Sequence, residues 1–252
     1  MSKVSKAYLQ SITMLLAEIE EQEEKQINKA AEILTQTIQS GKLINVIGPG
    51  GHSNMAVEEV FWRAGGLAAV NGILDAGTNL IHGAKRSNHV ERTPGYAKTV
   101  LNAYGLREGD VLVIVNAYGI NAMTIDCALE CKNRGITSIG VTSKSFALSV
   151  PKDAPSRHPL GLNLYDNTDI FIDTHLPMGD SVAKLDGFEQ KMGPVSTFLN
   201  SFVMNLLMIR TAEKLLEVGV TPPVWMSANL PNGDKMNKKY EEIYIPRVKH
   251  LL

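Results

Sequence analysis

Short apolar runs that stop at turn residues, alternating with helix-period stretches, constrain this chain more than anything else in it. Leu43-Ile44-Asn45-Val46-Ile47 ends at Gly48-Pro49-Gly50-Gly51, and Val111-Leu112-Val113-Ile114-Val115 ends at Asn116-Ala117-Tyr118-Gly119. A run this short and continuous, closed by glycine, reads as a parallel strand buried on both faces. Similar runs cover 67–74, 137–142 and 169–173. Helical patterns lie between them. One spans about 53–64, with Ser53 placed to cap it and Gly65-Gly66 to end it; others span about 96–104 and about 121–134, the last capped by Asn121 and closed by Gly135. Strands alternating with helices form βαβ units. The expected fold is α/β: a three-layer αβα sandwich around a five-stranded parallel sheet.

Outside this alternation, residues 5–39 carry apolar side chains at helical spacing (Leu9, Ile12, Leu15, Leu16, Ile19, then Ile27, Ala30, Ala31, Leu34, Ile38). The acidic stretch Glu18–Glu24 interrupts them, so either one helix has an exposed middle or two helices meet there. Residues 1–40 are expected to be a helical extension and 41–252 the α/β domain. Segment 77–96 shows no period and 145–165 reads as a Pro- and Ser-containing loop. The stretch 193–217 reads as a long helix apolar nearly all round, which implies burial or a subunit contact.

With 25 basic and 26 acidic residues, the chain lacks the basic excess of a nucleic-acid surface. No run of eighteen apolar residues suggests a membrane span, and no secretory signal pattern opens the sequence. The two cysteines, Cys127 and Cys131, stand four apart on one helix face and read as reduced core thiols. A cytoplasmic location is expected.

In open parallel sheets, ligands bind beyond the carboxyl ends of the strands where strand order reverses. If the strand order is 2-1-3-4-5, that point falls between loops 48–53 and 116–121. Glycine lets a backbone approach a ligand, and free N–H groups at a helix start attract an anion; the rival reading is that tight turns alone require these glycines. Position 53 is Ser, so Gly48-Pro49-Gly50-Gly51 completes no G-x-G-x-x-G, and no Gly-Lys-Ser/Thr follows it. Nicotinamide and nucleoside triphosphate lose support, and no cofactor is expected. A metal would need His82, His89, Glu91 and His158 to gather, and no H-x-x-x-H motif occurs; none is expected.

A strand ending in Gly48-x-Gly50-x-His52-Ser53 and a second ending in Asn116-x-Tyr118-Gly119-x-Asn121 resemble the sugar-isomerase (SIS) domain. Gly51–Gly66, Glu91–Tyr96, Ser156–Pro159 and Gly193–Thr197 resemble the subgroup of phosphosugar and phosphoheptose isomerases. The resemblance implies binding of a small anionic sugar, with Gly50, Gly51, His52, Ser53, Asn54, Asn116, Ala117, Tyr118, Gly119, Asn121 and Arg86 as candidate contacts. Ala117 stands where that family often carries a hydroxyl, which widens the expected anion from phosphate to sulfonate.

Interconverting an aldose and a ketose requires a base near carbon and an acid near oxygen. In SIS isomerases the base is typically a Glu, often helped by a His. Glu58 and Glu59 follow the first loop, although Glu59 could equally pair with Arg63; Glu91 lies among His82, Lys85, Arg86, His89 and Arg92. The candidate bases are Glu58, Glu59 and Glu91, and the candidate assistants His82, His89 and His158. A lyase or etherase of sugar phosphates, a sulfosugar isomerase and a sensor of sugar phosphates are the alternatives. A homodimer or larger assembly is expected from the apolar helices.

Overall fold

The computed structural model describes residues 2–251. Its strands are β1 (Ile44–Ile47), β2 (Val70–Ile73), β3 (Val111–Val115), β4 (Thr137–Thr142), β5 (Ile170–Asp173), β6 (Ser181–Ala183) and β7 (Met192–Pro194). Its helices are α1 (Lys3–Gln22), α2 (Glu24–Gln39), α3 (Asn54–Val60), α4 (Ala84–Val90), α5 (Tyr96–Ala103), α6 (Ala122–Arg134), α7 (Lys144–Ser149), α8 (Ser196–Glu217) and α9 (Gly233–Tyr244). Strands β1–β5 form the parallel sheet that the sequence predicts, in the order β2-β1-β3-β4-β5.

The pleat of β3 explains the layers. Val111, Val113 and Val115 pack with α2, α3 and α8 on one face, while Leu112 and Ile114 pack with α5 and α6 on the other. Helix α2 contributes Ile27, Ala30, Ala31 and Leu34 to the first layer, whereas α1 buries only Ile19. Cys127 and Cys131 lie in the second layer, where burial raises both thiol pKa values, that of Cys131 to about 12. A polar pair sits inside the sheet. Asn45 and Asn71 stand opposite each other across β1 and β2; Asn71 Nδ2 donates to Asn45 Oδ1 at 2.8 Å, and Asn45 Nδ2 to the Val111 carbonyl at 3.0 Å. Among the described residues, no helix is long and apolar enough to cross a membrane.

Several boundaries differ from the sequence expectation. The acidic stretch is a junction: α1 ends and α2 begins around Glu23. Helix α3 stops at Val60, short of Gly65, because Phe61 turns extended and lays its ring on the bare Cα of Gly72 in β2, where a Cβ would stand 3.0 Å from Phe61 Cγ. Trp62 then takes a left-handed φ of 51°. Leu67 belongs to an isolated bridge with Val224, which shortens the second strand. The segment 77–96 contains a 3-10 turn at Leu80–His82 and α4, and the 145–165 loop includes most of α7. Ser53 and Asn121 occupy cap positions without side-chain cap bonds; Ser53 Oγ instead lies 3.4 Å from Asn116 Nδ2, and Asn121 Nδ2 donates to the Ser156 carbonyl.

Candidate functional site

Pairing of β1 with β3 sets loops 48–53 and 116–121 side by side. Asn116 staples them. Its Nδ2 donates to the Pro49 carbonyl at 3.1 Å, and its Oδ1 accepts from the N–H groups of Tyr118 at 3.1 Å and Gly119 at 2.8 Å. The first loop folds back on itself so tightly that a Cβ on Gly48 would meet the Ser53 carbonyl oxygen at 2.2 Å. The N–H groups of Gly51, His52 and Ser53 have no acceptor among the described residues, leaving three clustered donors of the kind that cradle an anion.

Beyond these loops opens a cleft of about 370 Å³. Gly50, Gly51, His52 and Ser53 line it from the first loop, and Asn116, Ala117, Tyr118 and Asn121 from the second. Glu91 enters from the end of α4. Its carboxylate is so near the first loop that a Cβ on Gly50 would stand 2.9 Å from Oε2. Asn88 Nδ2 donates to its Oε1 at 3.3 Å, and its main-chain oxygen accepts the Met123 N–H at the start of α6 at 2.9 Å. Burial raises the Glu91 pKa above 4.5, and the neighbouring Arg92 charge pulls the other way. Tyr118 stacks on Phe146 with ring centroids 4.2 Å apart. Its hydroxyl is held protonated to higher pH by burial, then by the charges of Asp180 and Glu91. Among the described residues, no Lys or Arg lines the cleft.

The other candidates lie outside the cleft. Asn54 is buried behind the first loop, where its Nδ2 donates to the carbonyls of Gly50 at 3.0 Å and Thr78 at 3.1 Å. The Thr78 carbonyl also accepts from Ser87 Oγ at 2.7 Å, which ties α4 to the same point. Gly119 turns the second loop at φ 61°, with no room for a Cβ beside Thr142. Arg86 donates to the Ala76 carbonyl at 2.8 Å. Glu58, His82 and His89 are exposed. Glu59 turns to α8 and the surface, accepting from Asn205 Nδ2 at 3.3 Å and pairing with Arg63 at 3.5 Å. His158 is buried and both ring nitrogens are used: Nδ1 accepts the Leu160 N–H, so Nε2 carries the proton and donates to Asp126 Oδ1 at 3.1 Å.

Sequence reading did not place Asp180, Pro194, Ser196 and Thr197 in the site, and they form a further wall of the cleft. Asp180 takes a left-handed φ of 64°. Its Oδ1 accepts the N–H groups of Val195 at 2.9 Å and Ser196 at 2.8 Å, and its Oδ2 accepts Ser196 Oγ at 2.8 Å. The available signal was Ser196-Thr197 following Gly193-Pro194 at the head of a long helix.

The fold and the paired loops define a class, and comparison with known proteins agrees. The SIS domain model matches residues 7–143, and this chain belongs to that family. It is 34% identical over 246 residues to the UPF0309 protein of Caldanaerobacter subterraneus, covering 97% of this chain and 98% of that protein. The UPF0309 protein of Brucella anthropi is 33% identical over 251 residues, covering 100% of each. Two solved structures share the fold: a phosphoheptose isomerase from Neisseria gonorrhoeae (18% identity, 83% of this chain and 97% of that one, TM-score 0.53) and one from Francisella tularensis (15%, 84% and 100%, TM-score 0.54).

Proposed function

We propose that this protein is an isomerase interconverting the aldose and ketose forms of a phosphorylated sugar, with Glu91 as the base. The carrying observation is the desolvated Glu91 carboxylate beside Gly50, next to three loop N–H groups without acceptors. The phosphate would rest on the N–H groups of Gly51, His52 and Ser53, which places the sugar carbons toward Glu91. Ionised Glu91 removes the proton from the carbon next to the carbonyl, leaving an enediolate; a proton passes between the two neighbouring oxygens, and Glu91 returns its own proton to the former carbonyl carbon. A base with a raised pKa is matched to that transfer near neutral pH. Tyr118, protonated in its buried setting, supplies a hydrogen bond to the oxygen on which charge develops.

The test is exchange of substrate C–H with deuterated water, run over hexose, heptose and amino-sugar phosphates together with sulfosugars. Glu91→Gln is expected to abolish exchange while retaining binding. Binding by the wild-type protein without exchange of any substrate would replace this reading with a sensor.

A further inference from the structure

We propose that Tyr8, on the N-terminal helix, is a positioning residue for the Asp180–Ser196 wall of the cleft; the inference rests on the sugar-phosphate reading of that cleft. Helix α1 is an odd element by burial, with only Ile19 fully inside. Its inner stripe nevertheless reaches the site. The ring of Tyr8 lies against the bare Cα of Gly193, where a Cβ would stand 2.6 Å from Tyr8 Cε2. Gly193 also has a left-handed φ of 70°. Both facts demand glycine there. The Tyr8 hydroxyl then donates to the Pro194 carbonyl at 2.9 Å.

One peptide group carries the effect onward. The 194–195 peptide is planar and trans, so its carbonyl and its N–H point in opposite directions. Fixing the Pro194 oxygen on Tyr8 therefore fixes the direction of the Val195 N–H. That N–H donates to Asp180 Oδ1 at 2.9 Å, and the same oxygen accepts the Ser196 N–H at 2.8 Å. Asp180, Pro194 and Ser196 all line the cleft. A hydroxyl on α1 thus sets the orientation of the Asp180–Ser196 wall, while among the described residues the anion loop at 51–53 makes no hydrogen bond to α1.

That separation supplies the test. Inorganic phosphate would use the anion loop alone, whereas sedoheptulose 7-phosphate and fructose 6-phosphate extend to the wall. Tyr8→Phe keeps the ring on Gly193 and removes the hydroxyl. It is expected to raise the Kd of the ketose phosphates by about twofold to tenfold, the range of one hydrogen bond, and to leave that of inorganic phosphate unchanged. The Val195 and Ser196 amides should exchange with deuterium faster in the variant than in wild type. Ser11→Ala, which removes a hydrogen bond made inside α1 to the Ala7 carbonyl and leaves the Tyr8 bond to the antiparallel β6–β7 hairpin intact, is the control. Equal weakening for phosphate and ketose phosphates, or unchanged Val195 exchange, would overturn the proposal. If wild-type protein binds neither ketose phosphate, the sugar-phosphate reading falls, and with it the role of Tyr8 in holding a sugar; faster Val195 exchange would then mark Tyr8 as a purely structural support.

Discussion

His158 donates from Nε2 to Asp126 Oδ1 at 3.1 Å, and the other oxygen of Asp126 accepts the Gly95 N–H at 2.6 Å. Through this one carboxylate, α6 holds the segment that carries Glu91 and the loop that follows α7. The His158 N–H also donates to the Ile120 carbonyl at 2.7 Å, which fastens the second anion loop to the same support. Both ring nitrogens are thus engaged within the protein, and we propose that His158 acts as a strut between these segments.

Replacing His158 with Leu strips partners from Asp126 and from the Leu160 N–H. The expected loss of stability is about 1–3 kcal/mol, read from urea unfolding. The pH dependence of exchange per folded molecule should match wild type. A changed pH profile would restore His158 to the chemistry.

Glu91→Gln is expected to give the opposite pattern, losing exchange at little cost to the fold, while Glu58→Gln and Glu59→Gln are expected to exchange at the wild-type rate. Wild-type exchange should rise with pH, with its inflection above the ordinary Glu range, since the base acts when ionised. A stability consequence follows from the same raised pKa. Between 4.5 and that raised value, the folded protein holds more protons than the unfolded chain. The contribution of Glu91 to stability is therefore fully present below 4.5 and is lost as pH rises through the folded pKa. The E91Q variant escapes that loss, so its stability relative to wild type should climb with pH and then level off. Parallel unfolding midpoints across the pH series would contradict the assignment.

Gly50→Ala places a methyl group 2.9 Å from Glu91 Oε2 and 3.4 Å from Asn116 Nδ2. Displacing a catalytic group by a fraction of an ångström or more is expected to lower exchange on the order of a hundredfold. Circular dichroism should remain that of wild type. An Ala variant with full activity would remove Gly50 from the site.

A fourth expectation concerns assembly. Phe198, Ile209 and Leu216 lie on one face of α8 at 50%, 55% and 63% exposure, and a helix face with several large exposed apolar side chains suits a partner surface. Sedimentation at micromolar concentration should give a dimer or larger species, and Phe198→Asp with Ile209→Asp should shift it toward monomer. A wild-type monomer would refute this.

The central sheet was legible because its strands are apolar on both faces and end in glycine; Val111–Val115 leaves no other reading. The paired loops followed from strand order. Helix α4 was not legible, because Ala84–Val90 is polar on almost every side and buries only Ser87; tertiary bonds such as Ser87 Oγ to Thr78 hold it in place of an amphipathic face. The hairpin was hidden for another reason. Three-residue strands at 181–183 and 192–194 are too short to show a period. Asp180 became a wall residue through bonds to Val195 and Ser196, far along the chain, and no local pattern encodes that. Glu58 and Glu59 show the reverse relation: they are close in sequence to the anion loop, yet Glu58 is exposed and Glu59 is bonded to Asn205 and Arg63.

The Asn45–Asn71 pair works as an index mark on a sliding scale. A one-residue slip of β2 along β1 would turn its apolar side chains to the wrong faces. A two-residue slip would keep every face, so hydrophobicity alone offers little resistance to it; the amide pair does resist, because both side chains would be left buried opposite aliphatic neighbours. Such a slip would carry the chain after β2 along by roughly 6–7 Å. Thr78, which receives both Asn54 and Ser87, would travel with it, and so would α4. Two amides within the sheet thereby set the height at which the Glu91 carboxylate stands over Gly50.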